Sequence, residues 1–280
     1  MNIKILSDST CDLSPEQIAA HNIGIVPLTV VKGEEQFKDG ISITPADIFA
    51  HVAAGGSLCT TSANSVGEYV EIFAQYAPQY DGVIHLNIGS GFSSCYQNAC
   101  LAAEDYPNVR VIDSQNLSTG QGLVVLKACE LAATCDDLDQ LADAIREYAT
   151  KVEASFVLDQ LAYMVKGGRC SSAAALGANL LNLKPCIEVR NGKMSVVKKY
   201  RGNYAKCLAN YVKDRLSNRE DLDHSTLFIT YTTVDDDSYK AVQDTVAQYE
   251  PFSTVYETTA GCTVSCHCGP STLGILFARK

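Results

Sequence analysis

The first half of the chain carries short apolar, β-branched runs at residues 3–6, 25–31, 83–88 and 109–112. Each is followed by a polar turn and then by apolar residues at helical spacing. Strands alternating with amphipathic helices predict a parallel sheet covered by helices. Ser14-Pro15 and Thr44-Pro45 each put a capping hydroxyl ahead of a proline suited to the first helical position, so helices are predicted to start there. Others are predicted from about Ser65, Ser93, Thr119 and Leu138. After about residue 151 the texture changes. In CIEVRNGKMSVVKKYR, two β-type runs flank Asn191-Gly192, a strong hairpin signal, so antiparallel pairing is predicted. Helices are expected over 171–183, 204–216 and 238–249. The pattern as a whole reads as a two-domain α/β fold. Residues 1–155 form an N-terminal parallel sheet with helices on both faces, and residues 156–280 form a C-terminal mixed α/β domain.

Four predicted strand ends open into small polar residues: Leu6 into SDSTCD, Ile88 into GSGFSS, Ile112 into DS, and Val264 into SCHCGP. Open α/β sheets bind ligands beyond the carboxyl ends of their strands, so one shared crevice is expected, although helix capping explains any single turn as well. The Gly89 to Ser94 turn admits three readings. It resembles G-x-G-x-x-G with serine last, and Asp113 follows where a ribose-binding acid of a nucleotide-binding α/β enzyme would sit. A small serine hydrolase would need an activated serine. The second glycine of the G-x-S-x-G elbow is missing, while His267 with Asp8 or Asp113 supplies the residue types of a triad. The third reading is a carboxylate held without hydrolysis. TTSANS at Thr60 is a second hydroxyl-rich turn, and Lys166-Gly167-Gly168-Arg169 sets an arginine beside two flexible glycines. Helix N-termini, hydroxyls and a guanidinium together capture an anion and need no nucleophile. The residues alone leave all three open.

Composition narrows the partners. The chain has 280 residues, 46% of them hydrophobic, enough for one large core or two moderate ones. No apolar run approaches the roughly 18 residues that cross a bilayer, and MNIKILSDST lacks the pattern of a signal peptide, so a cytoplasmic protein without a membrane span is expected. A net charge of -10 opposes nucleic-acid binding. The charge is uneven, however: nine basic residues lie between Lys184 and Arg215 against two acidic ones, a solvated hairpin and helix or a docking face for an acidic partner. Twelve cysteines scattered through the elements favour reduced thiols packed as small apolar residues. Cys262, Cys266 and Cys268 with His267 invite a metal reading. The familiar Cys-x2-Cys spacing is absent, and alternate residues of a strand face opposite ways, so no metal is expected.

SDSTCDL at Ser7, TTSANS at Thr60, IGSGFSSCYQNA at Ile88, VIDSQNLSTGQG at Val111, LAYMVKGGRCSSAAALGANLLNLKPCIEVRNGKM at Leu161 and CHCGPSTLGILF at Cys266 resemble, in order, the signature blocks of the DegV family. These are bacterial fatty-acid-binding proteins that serve a fatty acid kinase. The resemblance implies two α/β domains with one fatty acid between them and no cofactor beyond that ligand. It implies no catalytic residue, and a partner kinase that brings ATP. Thr61 and Ser93 would hold the carboxylate, with Ser62, Ser94 and Gly91 beside them. Arg169 and His267 would contact the head group or its phosphorylated form, apolar residues such as 173–183 would line the tail, and the basic stretch would dock the kinase. Departures from the family pattern are Ala63-Asn64 after Thr-Ser, Ser94-Cys95 after Ser93, and Cys268 and Ser271 in the last block.

Overall fold

The computed structural model describes residues 1–175 and 183–280. The first half begins with β1 (Ile3–Asp8), α1 (Pro15–Ala20), β2 (Gly24–Val26), β3 (Thr29–Lys32), β4 (Glu35–Lys38), α2 (Pro45–Ala53) and β5 (Thr60–Ser62). It continues through α3 (Val66–Tyr76), β6 (Gly82–Asn87), α4 (Cys95–Ala103), β7 (Val109–Asp113), α5 (Ser118–Ala132) and α6 (Leu138–Ala149). The second half holds β8 (Val152–Leu158), α7 (Leu161–Gly167), α8 (Ser171–Ala174), β9 (Leu183–Arg190), β10 (Lys193–Arg201) and α9 (Tyr204–Leu216). β11 (Leu222–Tyr231), α10 (Asp236–Val246), β12 (Thr254–Thr259), α11 (Cys262–Cys268) and β13 (Thr272–Arg279) complete it.

Capping decides where three early helices begin. Ser14, Thr44 and Ser65 each accept the backbone N–H three residues on, while Gln17, Asp47 and Glu68 reach back to the cap residue's N–H. These reciprocal boxes satisfy donors that the first turn would otherwise leave open. Strands β2-β1-β6-β7 then form a wholly parallel sheet, in that order. Every residue of β6 is buried, the mark of a strand covered on both faces.

The second sheet, β10-β9-β8-β13-β11-β12, is mixed: β11 and β12 run parallel and the other pairs antiparallel. The hairpin turns at Asn191 and Gly192, both at positive φ. The predicted boundary at residue 155 falls inside β8, so the first sheet's elements end with α6 and the second sheet begins at Val152.

Three predictions are corrected. Residues 25–31 are two strands rather than one, separated at Pro27-Leu28, because β3 leaves the parallel sheet to pair with β4 and β5 in a small antiparallel sheet. The strand expected to end at Val264 is the helix α11. Six of its seven residues are buried, and a helix surrounded on all sides has no apolar stripe to betray its period. Of the helix expected over 171–183, Ser171–Ala174 is helical and Leu183 opens β9. Residues 176–182 lie outside the described part.

Candidate functional site

The carboxyl end of β6 leads into Ile88-Gly89-Ser90-Gly91-Phe92-Ser93-Ser94 and then α4. Side chains from neighbouring elements fasten this turn. The Asp8 carboxylate, buried at the end of β1, accepts the Ile88 N–H at 2.9 Å as well as the Tyr69 hydroxyl and the Asn87 amide. Asp113, closing β7, accepts the Ser90 N–H at 3.0 Å, the Ser90 hydroxyl at 2.5 Å and the Gln115 N–H at 2.8 Å. Gly91 meets the β9–β10 hairpin: a Cβ there would lie 2.1 Å from the Gly192 carbonyl oxygen, so only glycine fits. Gly89 is less tightly placed: a Cβ there would lie 3.0 Å from the Gln115 carbonyl carbon and 3.1 Å from the Asn116 nitrogen.

These contacts dispose of two chemistries that the turn suggested. Both oxygens of Asp113 are engaged by the turn itself, so a ribose-binding role would break the loop it holds together. Asp8 is likewise committed to Tyr69, Asn87 and Ile88. The Ser93 hydroxyl lies 3.1 Å from the Cys95 thiol and 3.3 Å from the Cys95 N–H, which it accepts, while the imidazole of His267 pairs with Thr61. A serine–histidine–aspartate chain is not assembled from these residues.

A cavity of about 260 Å³ opens beside the turn. Thr61, Ser62, Ser93, Ser94, Arg169 and His267, six of the seven residues singled out from sequence, line it; Gly91 does not. Its other walls are Leu28, Ala63, Ile88, Phe92, Leu117, Met164, Met194, Thr263, Val264 and Cys268. The polar side chains gather at one end, where Ser62, Ser94 and Arg169 are exposed, and Leu117, Val264 and Cys268 are buried at the other. Those last three residues also line a second hollow of about 30 Å³ bounded by Ala154, Phe156 and Leu276 of the second sheet. The space therefore deepens from a polar mouth into an apolar interior.

Local structure places each head-group candidate. β5 pairs with β3 in the register Val30 to Thr61, which brings Thr61 under α11, and Thr61 Oγ1 lies 2.8 Å from His267 Nε2. α7 ends at Gly168 in the left-handed region, and the chain turns so that Arg169 Nε donates to the Phe92 carbonyl at 3.2 Å and Nη1 to the Gly167 carbonyl at 2.6 Å. Gly167 leaves room for the imidazole, since a Cβ there would sit 2.4 Å from His267 Nδ1. Burial, and secondarily the Arg169 guanidinium, push the His267 pKa down to about 4, so the ring is neutral at pH 7. Among the described residues, its buried Nδ1 has no hydrogen-bond partner.

The apolar walls escaped sequence reading, because Leu28, Met164 and Met194 look like ordinary core residues until the fold turns them inward. Of residues 173–183, proposed as tail lining, Ala173 is buried in the main core and does not line the cavity, while 176–182 lie outside the described residues. Nor does the cysteine group form a cluster at the cavity. On α11, Cys262 and Cys266 lie one turn apart and pack with Cys59, Val30, Ile43 and Ile48, whereas Cys268 belongs to the main core. All twelve cysteines are free thiols, and burial pushes Cys262 and Cys268 up to about 12, far from a reactive thiolate. In the basic stretch, Lys184 pairs with Asp159, Arg190 with Glu188, Lys198 with Asp214, and Arg215 with Glu153 and Glu188. Among the described residues, no helix is long and apolar enough to cross a membrane.

Comparison with known proteins gives one consistent result. Residues 2–280 match the family model described as "Uncharacterised protein, DegV family". A DegV domain-containing protein of Clostridium acetobutylicum is 32% identical over 283 residues, covering 99% of each chain. A solved structure described as fatty acid binding of a DegV family protein from Thermus thermophilus is similar with a TM-score of 0.90 and 27% identity over 100% of both chains. The crystal structure of DegV, a fatty acid binding protein from Bacillus subtilis, is similar with a TM-score of 0.85 and 27% identity, again over 100% of both.

Proposed function

The chain belongs to the DegV family, and on that footing we propose that it binds one long-chain fatty acid, carboxylate at the polar mouth and tail inward, and presents it to a fatty acid kinase. The observation that carries this reading is the polarity of the cavity. Thr61, Ser93, Arg169 and His267 line it together with the exposed Ser62 and Ser94, and the buried Leu117, Val264 and Cys268 supply apolar wall. A soap-like molecule with one charged end and one apolar end suits that gradient.

Magnitudes divide the roles. A 16-carbon tail buries on the order of 14 methylenes at about 0.8 kcal/mol each, roughly 11 kcal/mol before binding costs. Charge-assisted hydrogen bonds add about 1.5 to 3 kcal/mol each, so the tail dominates affinity and the head group sets orientation. Neutral His267 fits as a donor: with the proton on Nε2 it donates to Thr61 Oγ1, leaving the threonine hydroxyl hydrogen to donate to the carboxylate. The Ser93 hydroxyl and the Arg169 guanidinium complete the cradle.

A fatty carboxylate is ionised at neutral pH and is itself the nucleophile toward a phosphoryl donor, so the binding subunit needs no general base and no catalytic residue of its own. In this reading ATP and its magnesium belong to the kinase, and this chain carries no cofactor besides the fatty acid. Arg169 neutralises the acyl phosphate, and the neutral His267 ring contacts the head group through hydrogen bonding. The basic residues of β10 and α9, among them Lys199, Arg201, Lys206 and Lys213, form the docking face. Native mass spectrometry of the purified protein tests the binding step. One fatty acid per chain is expected, and it should be absent from a Thr61→Ala/Ser93→Ala double variant. A folded wild-type protein that neither carries lipid nor takes up added fatty acid would refute it.

A further inference from the structure

α11 carries His267, Val264 and Cys268 into the cavity, yet nothing within its own sequence caps it: its N-cap is Gly261, which has no side chain to accept the first amides. The partner comes from 223 residues away. Asp39, buried in the loop after β4, accepts the Cys262 N–H at 2.9 Å on Oδ1, and the Thr263 N–H at 3.1 Å and Thr263 hydroxyl at 2.7 Å on Oδ2. The preceding amide, Gly261 N–H, goes to Asp12 at 2.9 Å. Asp39 also organises the opposite wall. Its own N–H donates to the Leu28 carbonyl, and Ser9 Oγ accepts the Leu28 N–H while donating to Asp39 Oδ2 at 2.9 Å. Leu28 lines the cavity; Asp39 itself does not.

We propose that Asp39 is the positioning residue of the head-group site: by capping α11 across the fold and tying it to Leu28, it sets His267 over Thr61. A negative charge at a helix N-terminus accepting two amides and a hydroxyl is a rigid attachment, and three such bonds define an orientation as well as a position. α11 is thereby fixed at one end by Asp39 and near the other by the bond from His267 to Thr61 and by the Gly269 carbonyl, which accepts the Thr232 hydroxyl. This inference rests on the fatty-acid reading, and its test separates the two.

The experiment compares wild type with Asp39→Asn, which keeps the shape but puts an amide hydrogen where Oδ2 accepted Thr263. Dissociation constants are measured for palmitate and for hexadecanol, which has the same tail and no charge, and the His267 imidazole is followed by NMR. The expected result is about a ten-fold loss of palmitate affinity, hexadecanol affinity unchanged, and a shifted His267 resonance as the bond to Thr61 is lost. Equal losses for both ligands would mean general loosening and overturn the positioning role, as would no change in either. A wild-type protein that binds neither ligand defeats the fatty-acid reading alone, because the His267 resonance still reports whether Asp39 places the ring. Should Asp39→Asn fail to fold, Ser9→Ala, which removes the strut between Asp39 and Leu28, is expected to shift the same readouts in the same direction by less.

Discussion

His267 shows how one residue serves the cavity and weighs on stability together. In the folded protein its pKa is pushed down to about 4, while in the unfolded chain it returns to 6.5. Between those values the unfolded chain binds the proton and the folded one does not, so stability is complete above pH 6.5 and falls as the pH drops toward 4. The contribution at stake is on the order of 3 kcal/mol. His267→Gln cannot titrate, so its urea midpoint is expected to depend less on pH across that window than that of the wild type. Parallel pH profiles for the two proteins would assign the acid sensitivity elsewhere. A bound carboxylate favours the protonated ring and works the other way, narrowing the window when lipid is present.

At the scale of elements, the turn after β6 and the β9–β10 hairpin are one unit although about a hundred residues separate them. Glycine at position 91 lets the Gly192 carbonyl come close, and Asp113 holds Ser90 from the other side. Gly91→Ala is therefore expected to cost about 1 to 3 kcal/mol in urea unfolding, since the obstructing atom is backbone and cannot swing away. Lowered fatty-acid content should accompany it, because Ser93 and Ser94 follow in the same turn. A variant as stable as wild type would show that the hairpin yields easily. The three helices begun by capping boxes were legible from Ser14, Thr44 and Ser65, since those bonds join residues three apart. α11 was not legible, because its capping carboxylate lies on Asp39 and no window of neighbouring residues contains both.

For the whole molecule, the main core decides whether the two halves act separately. Ile84 and Leu86 of the first sheet share one apolar cluster with Phe156, Ile187 and Leu276 of the second. A core that crosses between the sheets couples their unfolding, so circular dichroism and tyrosine fluorescence, with 14 tyrosines and no tryptophan, should report a single coincident urea transition. Two separated transitions would establish independent halves. What the sequence alone determined is what local bonds and ordered motifs carry: the alternation of strands and helices, the Asn191-Gly192 hairpin, the family blocks, and six polar residues that line the cavity. Tertiary structure alone decided that residues 262–268 coil into a helix, that Asp8 and Asp113 brace a turn rather than serve chemistry, and that Leu28, Met164 and Met194 face an open space. Capping and turn formation join residues a few positions apart and leave their signature in sequence. A cavity is the space left where distant segments pack, and no single segment encodes it.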